Sequence, residues 1–364
     1  MNRIPGLDFL RGIAVIAVML YHLEIAPVVF STGWAGVQMF FVLSGFLIAG
    51  LLFNEYNLTG KIRPGYFLIR RGFKIYPLFY FVVALQILYY LIKKIPFTHS
   101  EVFAEVFFYQ NFSPGLLGIT WSIAVEEHFY ILLIIFLSAV SKKNKIKSGF
   151  FIPLTCIALC IASCGVRFIV FEQGSNNPYI NYFPTYLRID SLLFGVLLAY
   201  LFIYQSGWLD RNLKKHKKFC LVLACLMISP VFIFPRTGFF MSVFGHSFLY
   251  MGFGILMSCL ITFYAEVDFF LKKCRLKNIF NLISWIGVYS FGIYLVHLTA
   301  GPMISNWIRL HISGDGPLAV YSIISVTGNI FTGVLFSLLV EKPFLLLREK
   351  YFPRINAMNA GIRF

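Results

Sequence analysis

Charge is scarce in this chain. Only 13% of its 364 residues are Asp, Glu, Lys or Arg, about half the share typical of a soluble domain. Acidic side chains are scarcer still, 15 against 31 Lys and Arg, so the formal net charge is +16. The seven cysteines never form Cys-x-x-Cys, and most lie inside apolar runs, which argues against a disulfide framework or a zinc site. Cys156, Cys160 and Cys164 share a helical stripe, but without His or acidic companions they read as small residues easing helix contact. No Pro/Gly/Ser-rich linker divides the chain, and no internal repeat of the kind many transporters carry is visible. What is abundant is apolar: 59% of residues are hydrophobic and mean hydropathy is +0.79. One soluble core would leave too much Leu, Ile, Val and Phe facing water, so the composition specifies a polytopic membrane protein.

Ten apolar segments are long enough, or nearly so, to cross a hydrocarbon core of about 30 Å. They cover roughly 8–30, 34–53, 74–92, 121–140, 150–171, 186–205, 219–235, 242–264, 284–305 and 318–340. The expected fold is an all-α integral membrane bundle of about ten transmembrane helices. It forms a single domain over 1–345, followed by a short basic tail over 346–364. The first segment does not read as a cleaved signal peptide, being too long and having Arg11 within its start. Counting alternate loops, 25 of the 31 basic residues fall on one side and four on the other, with Arg167 and Arg188 at membrane depth. That asymmetry predicts both termini in the cytoplasm and an even number of spans. It also explains the net charge without nucleic acid. The longest outer segment is 95–120, where "FAEVFFYQNF" reads as an interfacial helix.

An ionisable residue within a span is costly, so those present are functional candidates. Arg11 and His22 are eleven positions apart, three helical turns plus about 20°, hence on one face and about 16 Å apart along the axis. Asp8 lies on the same stripe, three positions before Arg11, where it can pair with the guanidinium. Snorkelling of Arg11 and an interfacial hydrogen bond for His22 account for the pair equally well at this stage. "ITWSIAVEEHFY" opens the fourth span, with Thr120 or Ser122 as N-cap and Glu126–Glu127 in the first turn. The two carboxylates point to different faces, so at least one looks into the bundle. Arg188 and Asp190 begin the sixth span, where mutual neutralisation is the simple reading. His297 in "SFGIYLVHL" reads as a polar bridge. "RRGFKIYP" places Arg70, Arg71 and Lys74 at the start of the third span. They serve either as positive-inside anchors or as a phosphate site.

"LDFLRGIAVIAVMLYH" followed by "GWAGVQMFFVLSGFLI" resembles the opening of the membrane acyltransferase-3 family. "TWSIAVEEHFY", "YLRIDSLLFG" and "GVYSFGIYLVH" resemble its later motifs in the same order, so the resemblance covers about residues 5–345. It implies transfer of an acyl group, usually acetyl from acetyl-CoA, to hydroxyls of carbohydrates such as O-antigens, exopolysaccharides or lipid-linked glycans. The family's Arg-x10-His element maps onto Arg11 and His22, and its Arg-x-x-Arg element, associated with coenzyme phosphates, onto Arg71 and Lys74. Lys at the second position keeps charge but loses bidentate contact. Trp-Ser-x-x-x-Glu maps onto Trp121, Ser122 and Glu126, and Arg-x-Asp onto Arg188 and Asp190. Some members carry a hydrolase-like periplasmic domain, which is not expected here. The resemblance also implies a bacterial inner-membrane location.

These readings combine into an expected mechanism. Acetyl-CoA binds with its phosphates near Arg70, Arg71 and Lys74, and its pantetheine arm follows the Arg11–His22 face. His22 is the general base on the acceptor hydroxyl, Glu126 orients it, and Arg188 stabilises the oxyanion or holds the sugar. Direct transfer and an acyl-histidine intermediate are both compatible with these residues. No metal is expected. The partners are an acyl-CoA, a carbohydrate or glycolipid acceptor and membrane lipids, with the oligomeric state open. The rival is a glycolipid transporter or flippase using the same charges as a proton relay or sugar site.

Overall fold

The computed structural model describes residues 4–22, 31–143, 145–147, 149–311 and 318–353. Helices account for the regular structure, and no β-strand occurs among the described residues. In chain order, α1 (Pro5–His22), α2 (Ala35–Thr59) and α3 (Pro64–Lys93) lead to the short α4 (His99–Val106). Then come α5 (Trp121–Lys142), α6 (Phe151–Glu172), the single turn α7 (Pro178–Asn181) and α8 (Thr185–Tyr204). After α9 (Ser206–Lys215), α10 (Lys217–Ile228) and α11 (Pro230–Ile233), a π-turn over Met241–Gly245 runs into α12 (His246–Thr262). The remainder comprises α13 (Tyr264–Lys273), α14 (Lys277–Val288), α15 (Ser290–Val296), α16 (Ala300–His311), α17 (Leu318–Phe336) and α18 (Lys342–Tyr351).

Among the described residues, eight helices are long and apolar enough to cross a membrane, and up to ten spans result if each of two bent pairs counts as one. The bent pairs explain where the apolar segments and the helices differ. The seventh segment is delivered by α10 and α11. The amphipathic α9, with Asp210, Arg211, Lys214 and Lys215, meets that run at 89° and so lies across the bundle's end. The ninth segment breaks at Tyr289, where α14 and α15 bend by 66°. The first span is described only to His22, and residues 23–30 of that expected segment lie outside the described residues.

Local chemistry sets the helix ends. Pro64, with its fixed φ, occupies the first turn of α3, ten residues before the apolar run begins. Arg70, Arg71 and Lys74 are therefore inside the helix, not at its mouth. Gly60 ends α2 at φ 69°, its N–H bonded to the Tyr56 carbonyl, a left-handed cap that suits glycine. The outer segment forms a helix only over His99–Val106, started by a Thr98–Glu101 capping box. It stops before the aromatic run ends because Phe108 takes φ 56°, turning the chain back so that Gln110 and Asn111 are buried.

Close packing needs small residues, because apolar area alone does not drive helix association in lipid. A Cβ on Gly45 of α2 would lie 2.0 Å from the Leu192 carbonyl oxygen of α8, and one on Gly195 would lie 2.4 Å from that of Val42. The same device joins α1 to α14, where a Cβ on Gly287 would lie 1.8 Å from the Asp8 carbonyl oxygen. These backbone-to-backbone contacts pack α1 tightly against α14, while Arg11 on the neighbouring stripe is half-buried and His22 at the helix end is exposed.

Candidate active site

Arg11, Arg71, Lys74 and Glu126 converge in the middle of the bundle. Arg11 Nη1 pairs with Asp8 Oδ1 at 3.5 Å, as the three-residue spacing predicts. It also lies within electrostatic reach of Arg71, Glu126 and Tyr130. Tyr130 Oη is the hub: Arg71 Nη2 donates to it at 2.6 Å, and it donates to Glu126 Oε2, also at 2.6 Å. Its remaining partner is Ser44 Oγ at 2.6 Å, the hydroxyl of which donates. The Arg71 guanidinium lies 4.4 Å from the Tyr130 ring centroid, adding a cation–π attraction. Lys74 Nζ pairs with Glu341. Three cations thus face three carboxylates, which offsets the cost of placing charge at this depth. Arg11 remains the most open of them, with 36% of its side chain exposed.

Arg70 stands apart from that group. It binds the C-terminal end of the chain, donating to the Phe352 carbonyl and pairing with Glu349 at 3.1 Å. Tyr66 donates to the neighbouring Pro353 carbonyl, so this face of α3 docks α18.

Both carboxylates at the start of α5 look inward, one turn later than the sequence reading placed them. Glu126 meets Tyr130 and Arg71, while Glu127 accepts from Tyr76 Oη at 3.0 Å. Neither Thr120 nor Ser122 caps the helix with its side chain. The Thr120 hydroxyl donates to the Leu117 carbonyl, and Ser122 Oγ meets Tyr294 Oη at 2.8 Å.

Above this layer the ring of His22 lies 4.9 Å from Tyr21 and 5.1 Å from His297, measured between centroids. Glu126 is thus engaged by Tyr130 and Arg71, and it is His297 that stands beside His22. His297 is buried, and its Nδ1–H donates to the Tyr294 carbonyl at 2.6 Å. That bond fixes the tautomer and leaves the lone pair of Nε2 without a partner in a buried position. Asn329 Nδ2 donates to the His297 carbonyl at 3.0 Å and ties the bend to α17. Nothing in the sequence distinguished this histidine from a polar bridge.

Arg188 and Asp190 do not neutralise each other. Asp190 pairs with Arg167 at 2.7 Å, and both side chains are almost wholly buried. Arg188 is 1% exposed. The Gln38 amide oxygen, turned toward the guanidinium, accepts from Arg188 Nη2 at 2.8 Å and Nη1 at 3.0 Å, and from His246 Nδ1 at 2.7 Å. His246 Nε2 accepts from Arg188 Nη1 at 2.7 Å, and Tyr182 Oη accepts from Nη2 at 3.2 Å. Gln38 and His246 gave no sign in the sequence, because a lone amide or imidazole in an apolar run has no partner that spacing can reveal.

The chemistry open to this arrangement is proton transfer next to fixed positive charge. A column of polar groups runs from Asp8 and Arg11 through Arg71, Tyr130 and Glu126. Tyr294 then links it to His297 and His22, since Glu126 lies within electrostatic reach of the Tyr294 hydroxyl. No group of three or more metal-ligating side chains occurs among the described residues.

A family profile for an acyltransferase domain matches residues 4–341. Among curated proteins, one from Staphylococcus aureus (strain COL), provisionally named an O-acetyltransferase, is 28% identical over 98% of this chain and 61% of its own length. O-acetyltransferase OatA of Staphylococcus aureus (strain NCTC 8325 / PS 47) is 29% identical, covering 88% of this chain and 54% of that protein. The chain therefore spans about three fifths of the length of the curated relatives it matches. No solved structure matches it significantly.

Proposed function

The chain belongs to this acyltransferase-3 family of multi-pass membrane proteins, and from that premise we propose that it is an O-acetyltransferase. The donor is acetyl-CoA, bound at the basic, cytoplasmic face of a bacterial inner membrane. The acceptor is a carbohydrate hydroxyl presented at the opposite face, on an O-antigen, exopolysaccharide or lipid-linked glycan. The basic loops support this orientation, since positive charge is retained in the cytoplasm.

The observation that carries the reading is the polar column between Arg11 and His22, about 16 Å long by helix geometry. It gives the pantetheine arm a path lined by groups that tolerate an amide and a thioester. Arg71 and Lys74 are already paired with Tyr130 and Glu341, so the more open Arg11 meets the coenzyme first. Arg70, turned toward the chain's C-terminal end, takes a phosphate only if α18 moves.

At the far end His22 removes the hydroxyl proton. The acceptor oxygen bonds to the acetyl carbonyl carbon, the C–S bond breaks, and the proton passes from the imidazole to the departing thiolate. The unpartnered Nε2 of His297, its ring 5.1 Å from that of His22, is placed to take the N–H of His22 once the acceptor is bound, the orienting task expected of Glu126. Arg188 remains the candidate for holding the acceptor or the developing oxyanion, and Asp190 acts on it indirectly by holding Arg167.

The test uses membranes containing wild type or His22→Ala at matched abundance, supplied with acetyl-CoA labelled in the acetyl group. Label entering lipid-linked or surface glycan only with wild type supports the transferase. Equal label with both proteins removes His22 from the chemistry. Loss of glycan export without loss of label transfer points instead to a transporter.

A further inference from the structure

Two arginines near His22 have no carboxylate partner among the described residues, in contrast to the balanced charges at mid-bundle. Arg188 is bonded only to neutral groups, Gln38, His246 and Tyr182, and its Nε is buried with no partner at all. The single carboxylate nearby, Asp190, is taken by Arg167. Arg236 likewise bonds neutral groups, the Tyr21 hydroxyl at 2.7 Å and the Tyr182 hydroxyl. Both guanidinium groups lie over the ring of Tyr182, at 4.3 Å and 4.4 Å from its centroid. A buried guanidinium without an opposite charge is heavily penalised, and a second cation against the same ring adds repulsion. An anion in this place offsets both costs.

The site has an opening and a surface suited to a sugar. A cleft of about 360 Å³ runs beside Arg236, between Trp34 and the segment Val231–Pro235, within the usual range of small-molecule sites of about 300–1,000 Å³. Arg236 lies 5.6 Å from the Trp34 ring centroid. It is also within electrostatic reach of His22. The indole of Trp34 forms part of the wall of that cleft, where an aromatic surface can meet the apolar side of a pyranose.

Resting on the transferase reading, we infer that the acceptor is anionic, bearing a carboxylate or phosphate that Arg188 and Arg236 hold while a hydroxyl of the same molecule faces His22. Guanidinium groups suit both anions because their planar N–H pairs match paired oxygens. The carboxylate source is an acidic sugar of the glycan. The phosphate source is a sugar phosphate, such as the linkage to a lipid carrier.

Binding is measured without turnover, on the full chain in lipid nanodiscs, by quenching of tryptophan fluorescence. The probes are glucuronate, glucose 1-phosphate and glucose. We expect one or both acidic probes to bind at least about tenfold more tightly than glucose, the scale of a charge-assisted contact. Preference for glucuronate identifies the acidic sugar, and preference for glucose 1-phosphate identifies the phosphate. Arg236→Gln removes the preference and Arg236→Lys restores part of it. Arg236 serves here because a variant of the deeply buried Arg188 tests folding as well. Equal binding of all three probes, no binding of any, or an unchanged preference in Arg236→Gln overturns the inference. His22→Ala keeps anion binding while losing acetyl transfer. Anion binding with no transfer by wild type therefore sinks the transferase reading alone, and transfer without anion preference sinks only this inference.

Discussion

Asp190 is held by Arg167 of α6, 2.7 Å away, and not by Arg188, two residues before it in the chain. The pair fastens α6 to α8 and leaves Arg188 with no hydrogen-bonded carboxylate among the described residues. Arg167 completes its bonding with the carbonyls of Leu187 and Val243, each at 2.9 Å, and with Ser247 Oγ at 2.8 Å.

Breaking that pair from one side strands a buried charge. Arg167→Leu or Asp190→Leu alone should cost about 3–5 kcal/mol, the usual penalty for an orphaned buried ion. The double replacement Arg167→Leu with Asp190→Leu should cost less than the sum. Thermal unfolding of the detergent-solubilised protein measures both, and additive losses would show that the two residues do not act as a pair.

His297→Ala should lower acetyl transfer by about 10²–10⁴-fold, the range for loss of a positioned acid–base group. Abundance in the membrane should fall far less than activity, because the replacement gives up only the Nδ1–H bond to the Tyr294 carbonyl and keeps the backbone bond from Asn329. Transfer at the wild-type rate would return His297 to the structural role that the sequence suggested.

Tyr130→Phe keeps the ring beneath Arg71 but deletes the oxygen shared by Arg71, Glu126 and Ser44. A hydrogen bond to a charged group is worth about 1.5–3 kcal/mol, so kcat/KM for acetyl-CoA should fall by about 10- to 100-fold. Steady-state kinetics in nanodiscs give the answer, and unaltered kcat/KM would remove the hub from the donor path.

Glu105 of α4 lies outside the spans and is fully buried. Its Oε2 accepts a weak bond from the Leu117 amide at 3.4 Å, while Oε1 has no partner. Burial pushes its carboxyl up to about 7, with the bonds to Thr120, Leu117 and Leu116 opposing. The folded state therefore holds a proton that the unfolded chain releases near the ordinary value of about 4.3. Stability should fall as pH rises between those values and level off above about 7, a loss on the order of 3 kcal/mol. Glu105→Gln should raise the melting temperature at pH 8 and change it little at pH 5. A pH-independent effect of the substitution would show that the carboxyl does not titrate in this way.

The sequence by itself determined the solvent, the helical class and one face of α1. Composition alone demanded a lipid environment, and helices are the economical way to satisfy backbone polar groups there. The Asp8, Arg11 and His22 stripe was legible because a helix fixes the angle and rise between residues of the same element. Partners on different helices were not legible in that way. Spacing along α8 suggested Arg188 with Asp190, yet residues two apart point about 200° from one another, and Asp190 turned instead to Arg167 on α6. Glu126 was expected near His22, but its position on α5 brings it to Tyr130 and Arg71. Gln38, His246, Arg236 and Glu341 became visible only once their helices were side by side. Packing decided these choices because a buried charge takes whatever counter-charge or dipole the neighbouring helix delivers, and backbone contact at Gly45, Gly195 and Gly287 sets which neighbour arrives.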